Sequence, residues 1–254
     1  MMRLLPLLLL LACAVPARAA PNLADLSFQP HPGAALPRDA AFLDDMGHTV
    51  KLGALLRDRP GIVTLGYYHC PNLCGVVRDD LFSALQRSGL VAGHDYAVVA
   101  LSIDPHETAN DAAAAKRDDI ARYDVPGAAA GWHFLTGDST AVAHAVGYRS
   151  RWDPALQQFM HPVGVVVTTP GGIVSSYLLG VGYTPDALRA ALHRAAAAFV
   201  APPPSPVLLL CFHYDASTGR YTLAIERVLR LFALLTVATV GGLLALLHAR
   251  RPGA

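Results

Sequence analysis

The chain has 254 residues and a formal net charge of +1, with 53% hydrophobic and 15% charged residues. So apolar a composition excludes a disordered chain, and near-zero net charge argues against a general nucleic-acid binder, which needs a basic surface. The length fits one ordinary domain with attached segments or two small domains, and four cysteines are too few for a disulfide scaffold of this size.

Residues 1–19 have the pattern of a secretory signal peptide. An arginine precedes a leucine run, and the small residues Ala17 and Ala19 suit a signal peptidase that cleaves after Ala19. A buried helix is the weaker alternative, because Pro6 would interrupt it. The residues before Cys13 also loosely resemble a lipoprotein cleavage site, which ranks second.

The following residues alternate between strand and helix patterns. Strands are predicted from short β-branched runs, and helices from apolar residues at helical spacing with capping residues before them. In chain order the elements are a hairpin over 42–52, a strand at 61–68, a helix at 74–88, a strand at 96–103, a helix at 107–123, a strand at 132–135, a helix from 140 to 146, a hairpin of strands 163–169 and 173–179, and a helix at 185–199. This order predicts an α/β fold with a mixed sheet covered by helices on both faces.

The C-terminal part is predicted to attach the domain to a membrane. Residues 200–227 begin with a stiff proline-rich linker and continue as a small hairpin. The run from Leu231 to Leu247 is uncharged, so that 228–248 approaches the ~20 residues that cross a hydrocarbon core. With an exported body, a single span leaves the tail 249–254 in the cytoplasm and, in a bacterium, the domain in the oxidising periplasm.

Two cysteines stand between the first long strand and its helix, in the segment His69-Cys70-Pro71-Asn72-Leu73-Cys74. Ligands usually bind at this edge of an α/β sheet, and residues four apart on a helical turn share a face. The start of a helix favours thiolates. Cys70 and Cys74 can therefore form a redox-active disulfide or hold a soft metal ion; a static disulfide or two core cysteines is the alternative.

Two sulfurs need a further ligand to complete a metal site. His161 is the best of the eleven histidines, because it precedes the strand predicted to return beside the Cys70 loop. His69 adjoins Cys70, but neighbouring side chains of a strand point apart. Five other histidines are predicted to be ordinary surface residues: His48, His94, His106, His133 and His144. Two thiolates and one imidazole favour copper, as Cu(I) or Cu(II), over zinc, which needs a fourth ligand such as His69 or water.

The segments GYYHCPNLC, LSIDPHET and MHP together resemble the Sco/SenC family of thioredoxin-like copper proteins, over about residues 36–199. The resemblance implies a thioredoxin fold with an inserted hairpin. It also implies copper bound by Cys70, Cys74 and His161, with Asp104 of the DP motif in a structural or supporting role. Pro162 departs from the family pattern, as does the C-terminal rather than N-terminal anchor.

The resemblance further implies delivery of copper to the dinuclear copper centre of cytochrome c oxidase subunit II, or reduction of the cysteines there. The family's role predicts a metallochaperone of the bacterial inner membrane that exchanges with other periplasmic copper carriers or thiol reductants. The alternative is a thiol–disulfide reductase that uses Cys70 and Cys74 without metal.

A further cysteine lies outside the family pattern. Cys211 and His213 are two apart on a predicted strand and so share a face. Two interpretations are open. Either the two residues form an auxiliary copper contact near the membrane, or the Cys211 thiol is an apolar group packed above the bilayer.

Overall fold

The computed structural model describes residues 28–56, 58–70, 73–202, 212–215, 220–223 and 232–242. Their centre is a five-stranded sheet with helices on either side. The strands are β1 (Ala41–Leu43), β2 (Thr49–Lys51), β3 (Gly61–Gly66), β4 (Ala97–Ser102), β5 (Trp132–Leu135), β6 (Arg151–Asp153), β7 (Gln158–Met160), β8 (Gly164–Thr168), β9 (Val174–Leu179), β10 (Phe212–Asp215) and β11 (Arg220–Leu223). The helices are α1 (Leu52–Leu55), α2 (Leu73–Gln86), α3 (Ala109–Arg122), α4 (Ala128–Gly131), α5 (Thr140–Ala145) and α6 (Pro185–Ala196).

The sheet has the strand order β5-β4-β3-β8-β9. Strands β3, β4 and β5 are parallel, whereas β8 runs antiparallel to both β3 and β9. In the central register Val63 lies beside Val99 on one side and Val166 on the other. Because β3 and β8 run in opposite directions, the residues after β3 and the residues before β8 meet at one edge of the sheet.

Alternation along the strands divides the core into two layers. Ile62 and Val98 face one layer, which is closed by apolar side chains of α2, α3 and α6. Val63 and Val99 face the other, which is closed by α1 and α5. Burial of each large aliphatic side chain contributes about 1.5–3 kcal/mol, so the two layers supply the main favourable contribution to folding, which conformational entropy opposes. The predicted mixed sheet with helices on both faces is confirmed and fits a thioredoxin-like fold.

Local sequence signals set the ends of several elements. Thr108 and Asp111 form a capping box before α3, and the Thr184 hydroxyl accepts a hydrogen bond from the Ala187 amide at the start of α6. Gly164 begins β8 with a φ of 152°, where a Cβ atom would lie 3.0 Å from the Leu178 carbonyl oxygen. A side chain there would be strained and crowded at the point where β8 enters the sheet.

The structure adds elements that the sequence patterns do not predict. The hairpin β6–β7 lies between α5 and β8, and α1 and α4 are single short turns of helix. The fold also begins before the predicted boundary at residue 36, because Phe28 is buried and packs edge-on against Tyr148 and Tyr177. An isolated aromatic residue among prolines has no periodicity that would mark it as part of the core.

Of the predicted N-terminal and C-terminal attachments, only parts of the C-terminal one lie among the described residues. The signal sequence at 1–19 lies outside the described residues. Strands β10 and β11 pair antiparallel within the predicted hairpin of 200–227. Residues 232–242, inside the predicted span 228–248, are helical, and no helix in the described part of the chain is long and apolar enough to cross a membrane.

Candidate functional site

The predicted site lies where β3 ends and α2 begins. Cys70 is the fourth residue after the end of β3, and Cys74 lies in the first turn of α2. The side chain of Cys74 is outside the described part of the structure, as are Pro71 and Asn72. The short connection from a parallel strand into a helix holds Cys70 at the carboxyl edge of the sheet, where α/β proteins usually bind their ligands.

Cys70 and His161 line one cavity, although they are far apart in sequence. Its volume is about 460 Å³, within the range of small-molecule sites and much larger than a single ion needs. The hairpin β6–β7 supplies one wall, and the residues around the end of β3 supply the other. The lining residues are Tyr67, Cys70, Leu156, Gln158, Phe159, Met160, His161 and Val163.

The ring of His161 is oriented by its neighbours. Its Nδ1 atom lies 3.0 Å from the Pro162 carbonyl oxygen, and since a carbonyl can only accept, Nδ1 donates. In the neutral imidazole the lone pair is then on Nε2. The ring packs edge-on against Tyr67 and stacks with Tyr148, at centroid distances of 6.0 and 6.1 Å. His161 therefore has the tautomer of a metal ligand whose second nitrogen is held by the protein.

The segment before Cys70 is anchored by a buried carboxylate. Glu107 accepts hydrogen bonds from the backbone N–H groups of Tyr68, at 2.9 Å, and His69, at 2.7 Å. The Ser102 hydroxyl donates to the same carboxylate at 2.6 Å, and His69 Nδ1 lies 3.2 Å from it. The side chain of Glu107 is only 3% exposed. The sequence pattern places Glu107 at the start of the predicted helix 107–123, but α3 begins two residues later, which frees this side chain to turn toward the Cys70 loop.

The side chain of Tyr68 is also held in place, by its hydroxyl group. Its hydroxyl lies 2.9 Å from the carbonyl oxygens of both Ala100 and Leu135, on β4 and β5. Burial raises the pKa of this phenol well above its usual value, so that it remains a neutral donor. The guanidinium of Arg78 lies over the Tyr68 ring, 5.9 Å from its centroid. Arg78 and His161 both line a smaller cavity of about 20 Å³, room for about one water molecule.

The structure places the other predicted residues as follows. His69 points away from the cavity, toward Glu107 and Asp111, as strand alternation predicts. Asp104 accepts a hydrogen bond from the His106 amide and so forms the turn that leads to Glu107. His133 is not a surface residue as predicted: it lies in β5 and is half-buried between core residues. Cys211 and the side chain of His213 lie outside the described residues.

The described side chains do not form a complete metal site. Among them there is no group of three or more His, Cys, Asp or Glu residues arranged to hold a metal ion. The set proposed from sequence has Cys70 and His161 on this cavity, and its third member, Cys74, falls among the side chains that are not described.

Comparison with known proteins identifies the fold. No protein-family model and no curated protein matches the chain. Among solved structures, a candidate electron transfer protein of Aquifex aeolicus VF5 is 25% identical, with a TM-score of 0.56 over 65% of this chain and 94% of its own. A SCO1/SenC family lipoprotein of Bacillus anthracis is 15% identical, with a TM-score of 0.53 over 65% of this chain and 97% of its own. ScoI of Arabidopsis thaliana, solved with copper bound, is 17% identical, with a TM-score of 0.50 over 66% of this chain and 99% of its own. At the level of the fold, these structures confirm the resemblance to the Sco/SenC family.

Proposed function

We propose that this chain, which has the fold of Sco/SenC structures, is a copper-binding metallochaperone. Cys70, Cys74 and His161 are its metal ligands, and the dinuclear copper centre of cytochrome c oxidase subunit II is its target. The observation that carries the proposal is the cavity lined by both Cys70 and His161. The copper bound in the Arabidopsis relative supports it.

The chemistry of the donor set fits copper as cargo. Thiolate sulfur is a soft donor that selects Cu(I), and an added imidazole also accepts Cu(II). The proton on His161 Nδ1 leaves Nε2 as the donor atom. Zinc is less suitable because its closed structural sites have four protein ligands.

The volume of the cavity suits transfer to another protein. At about 460 Å³ it admits side chains of an acceptor as well as the ion. Incoming acceptor thiolates displace Cys70 and Cys74 from Cu(I), which moves without changing its oxidation state. The protons that the acceptor thiols lose are taken up by the departing thiolates of the chaperone.

A thiol–disulfide reductase is the second candidate, because Cys70 lies just before a helix with Cys74 one turn on. In that reaction the Cys70 thiolate attacks an acceptor disulfide and forms a mixed disulfide. That first attack releases one acceptor thiol. Cys74 then attacks the Cys70 sulfur, which releases the second acceptor thiol and leaves a Cys70–Cys74 disulfide. The acceptor gains two electrons, and a periplasmic thiol reductant restores the pair.

The cellular setting is part of the proposal. The signal peptide at 1–19 directs export, and the span at 228–248 anchors the domain on the periplasmic side of the bacterial inner membrane. In this arrangement the cavity faces a compartment where thiol pairs are readily oxidised, so copper loading and cysteine reduction are linked.

The copper proposal is tested by metal binding to the full chain in detergent. We expect one Cu(I) per chain in competition with a chromophoric chelator, and a thiolate-to-copper absorption band with Cu(II). Cys70→Ser should abolish the band, and His161→Ala should weaken binding by at least tenfold. His106→Ala is the matched control, because that side chain is 90% exposed and lies outside the cavity.

Copper bound equally well by Cys70→Ser would contradict the proposal. The reductase alternative gives a different pattern: His161→Ala retains full disulfide reduction of an acceptor peptide, whereas either cysteine variant abolishes it.

A further inference from the structure

We infer that Glu107 is a positioning residue for the copper ligand Cys70. Its buried carboxylate fixes the backbone of Tyr68 and His69, so that the Cys70 sulfur stays in the cavity shared with His161. This inference rests on the proposed copper-binding function and adds to it a residue outside the ligand set.

The first support is the geometry of the carboxylate. Glu107 takes two backbone N–H groups in succession, from Tyr68 and His69, which are the two residues before Cys70. These N–H groups lie beyond the end of β3 at Gly66, where the strand ladder no longer provides acceptors. The carboxylate therefore replaces the missing sheet partner along the segment that leads to the sulfur.

The second support is that Glu107 itself is fixed. On one side the Asp104 carboxylate holds the turn through the His106 amide, and on the other Thr108 is locked by the capping box of α3. The Ser102 hydroxyl donates to the carboxylate from the end of β4. A charged group that is 3% exposed needs such donors, because burial without them carries a large free-energy penalty.

The third support is that Tyr68 is fixed both through its backbone and through its side chain. The Tyr68 side chain is tied to β4 and β5 through its hydroxyl, while its backbone is tied to Glu107. Only His69 lies between Tyr68 and Cys70, and the backbone N–H of His69 also donates to Glu107. Groups that orient a metal ligand in this way commonly change metal affinity by about 10–100-fold when they are altered.

The test compares Glu107→Gln with the wild type as the full chain in detergent, with Cu(I) measured by chelator competition. The amide keeps the shape, but it loses the charge and places an NH₂ group opposite donors. We expect Cu(I) affinity about 10–100-fold below the wild-type value and a shifted Cu(II)–thiolate absorption band, with the circular dichroism spectrum unchanged.

Asp44→Asn is the matched control. Asp44 also accepts two backbone N–H groups, from Met46 and His48, but it does so in the β1–β2 turn and does not line the cavity. Its Cu(I) affinity should stay within twofold of wild type. Where Glu107→Gln does not fold, Glu107→Asp serves instead, because it keeps the charge and cannot reach both N–H groups; the same tenfold loss is expected.

The outcomes separate the two proposals. A wild-type chain that binds no copper overturns the proposed function and this inference with it. A wild-type chain that binds copper, with a folded Glu107 variant that binds it equally well, overturns only the positioning role. Equal losses in the Glu107 and Asp44 variants also overturn it, because they would indicate general loosening.

Discussion

His133 illustrates how its neighbours determine the state of a single residue. In β5 its ring is shielded from water, and burial lowers the pKa of the imidazole to about 4, with the charge of Lys116 acting in the same direction. His94, by contrast, has a side chain that is 83% exposed. The same residue type thus has a lowered pKa where the neighbouring residues bury it, as at position 133.

The lowered pKa of His133 predicts a pH-dependent stability. Between about pH 6.5 and pH 4 the unfolded chain takes up a proton at this residue and the folded chain does not, so stability falls as pH falls through that range. We expect the wild type to lose about 2 kcal/mol more than His133→Gln between pH 7.5 and pH 5. Urea unfolding at the two pH values measures this difference.

His94→Gln is the control for that experiment and should follow the wild type at both pH values, since its ring is exposed and a surface ion pair such as the one it forms with Asp95 contributes little to stability. Parallel curves for the wild type and His133→Gln would show that residue 133 is protonated alike in the folded and unfolded chains.

Helices α2 and α3 are joined by two ion pairs that differ in burial. Arg78 Nε lies 2.9 Å from Asp119 Oδ2, and both side chains are largely buried. Arg122 Nη1 lies 2.8 Å from Asp79 Oδ1, and both of these side chains are exposed. Burial raises the pKa of Asp119, and the positive charge of Arg78 opposes that effect. The inner pair therefore depends on both partners being present.

Removing one partner of each pair should have unequal effects. Arg78→Leu leaves the Asp119 carboxylate buried without its cation, and we expect a loss of about 3 kcal/mol in the free energy of unfolding. Arg122→Leu exposes its partner to water, and the urea midpoint should barely move. The double variant Arg78→Leu with Asp119→Leu should recover much of the loss. Similar losses of stability for the two single variants would contradict the inference that the buried ion pair depends on both partners more than the exposed pair does.

The predictability of each element follows from its burial. Strands β3, β4 and β8 are short, largely apolar runs because both of their faces are covered, and the sequence predicts all three. The sequence does not predict the hairpin β6–β7, because its strands, Arg-Trp-Asp and Gln-Phe-Met, are only three residues long and are not fully buried, so they show no clear alternation.

The site was predictable in part, for a related reason. Cys70 and Cys74 are marked by their spacing, and His161 by its place before a predicted strand and by the MHP motif. Cys70 and His161 do line one cavity. Glu107 lies within the LSIDPHET segment, but nothing in that segment indicates a role for it, because an acidic residue beside a threonine usually marks the exposed start of a helix. Only the tertiary structure brings its carboxylate to the N–H groups before Cys70.

For the molecule as a whole, the proposed anchor predicts where the protein fractionates. Expressed in a bacterium, the full chain should sediment with membranes and resist extraction by salt. A chain that ends at residue 202, after the last residue of the described domain, should appear in the soluble periplasmic fraction. A chain lacking only 249–254 is the control and should remain with the membranes. Full-length protein in the soluble fraction would contradict the anchor.

The antiparallel pairing of β3 with β8 also sets the order in which this protein can mature. The cysteine segment leaves the ribosome about 90 residues before the histidine, and the two meet only after the strand that follows the histidine has docked. Such distant pairing forms late in folding. Under the proposed function, an ion that meets the chain before β8 has docked finds sulfur without imidazole, so full copper loading would require a completed central sheet.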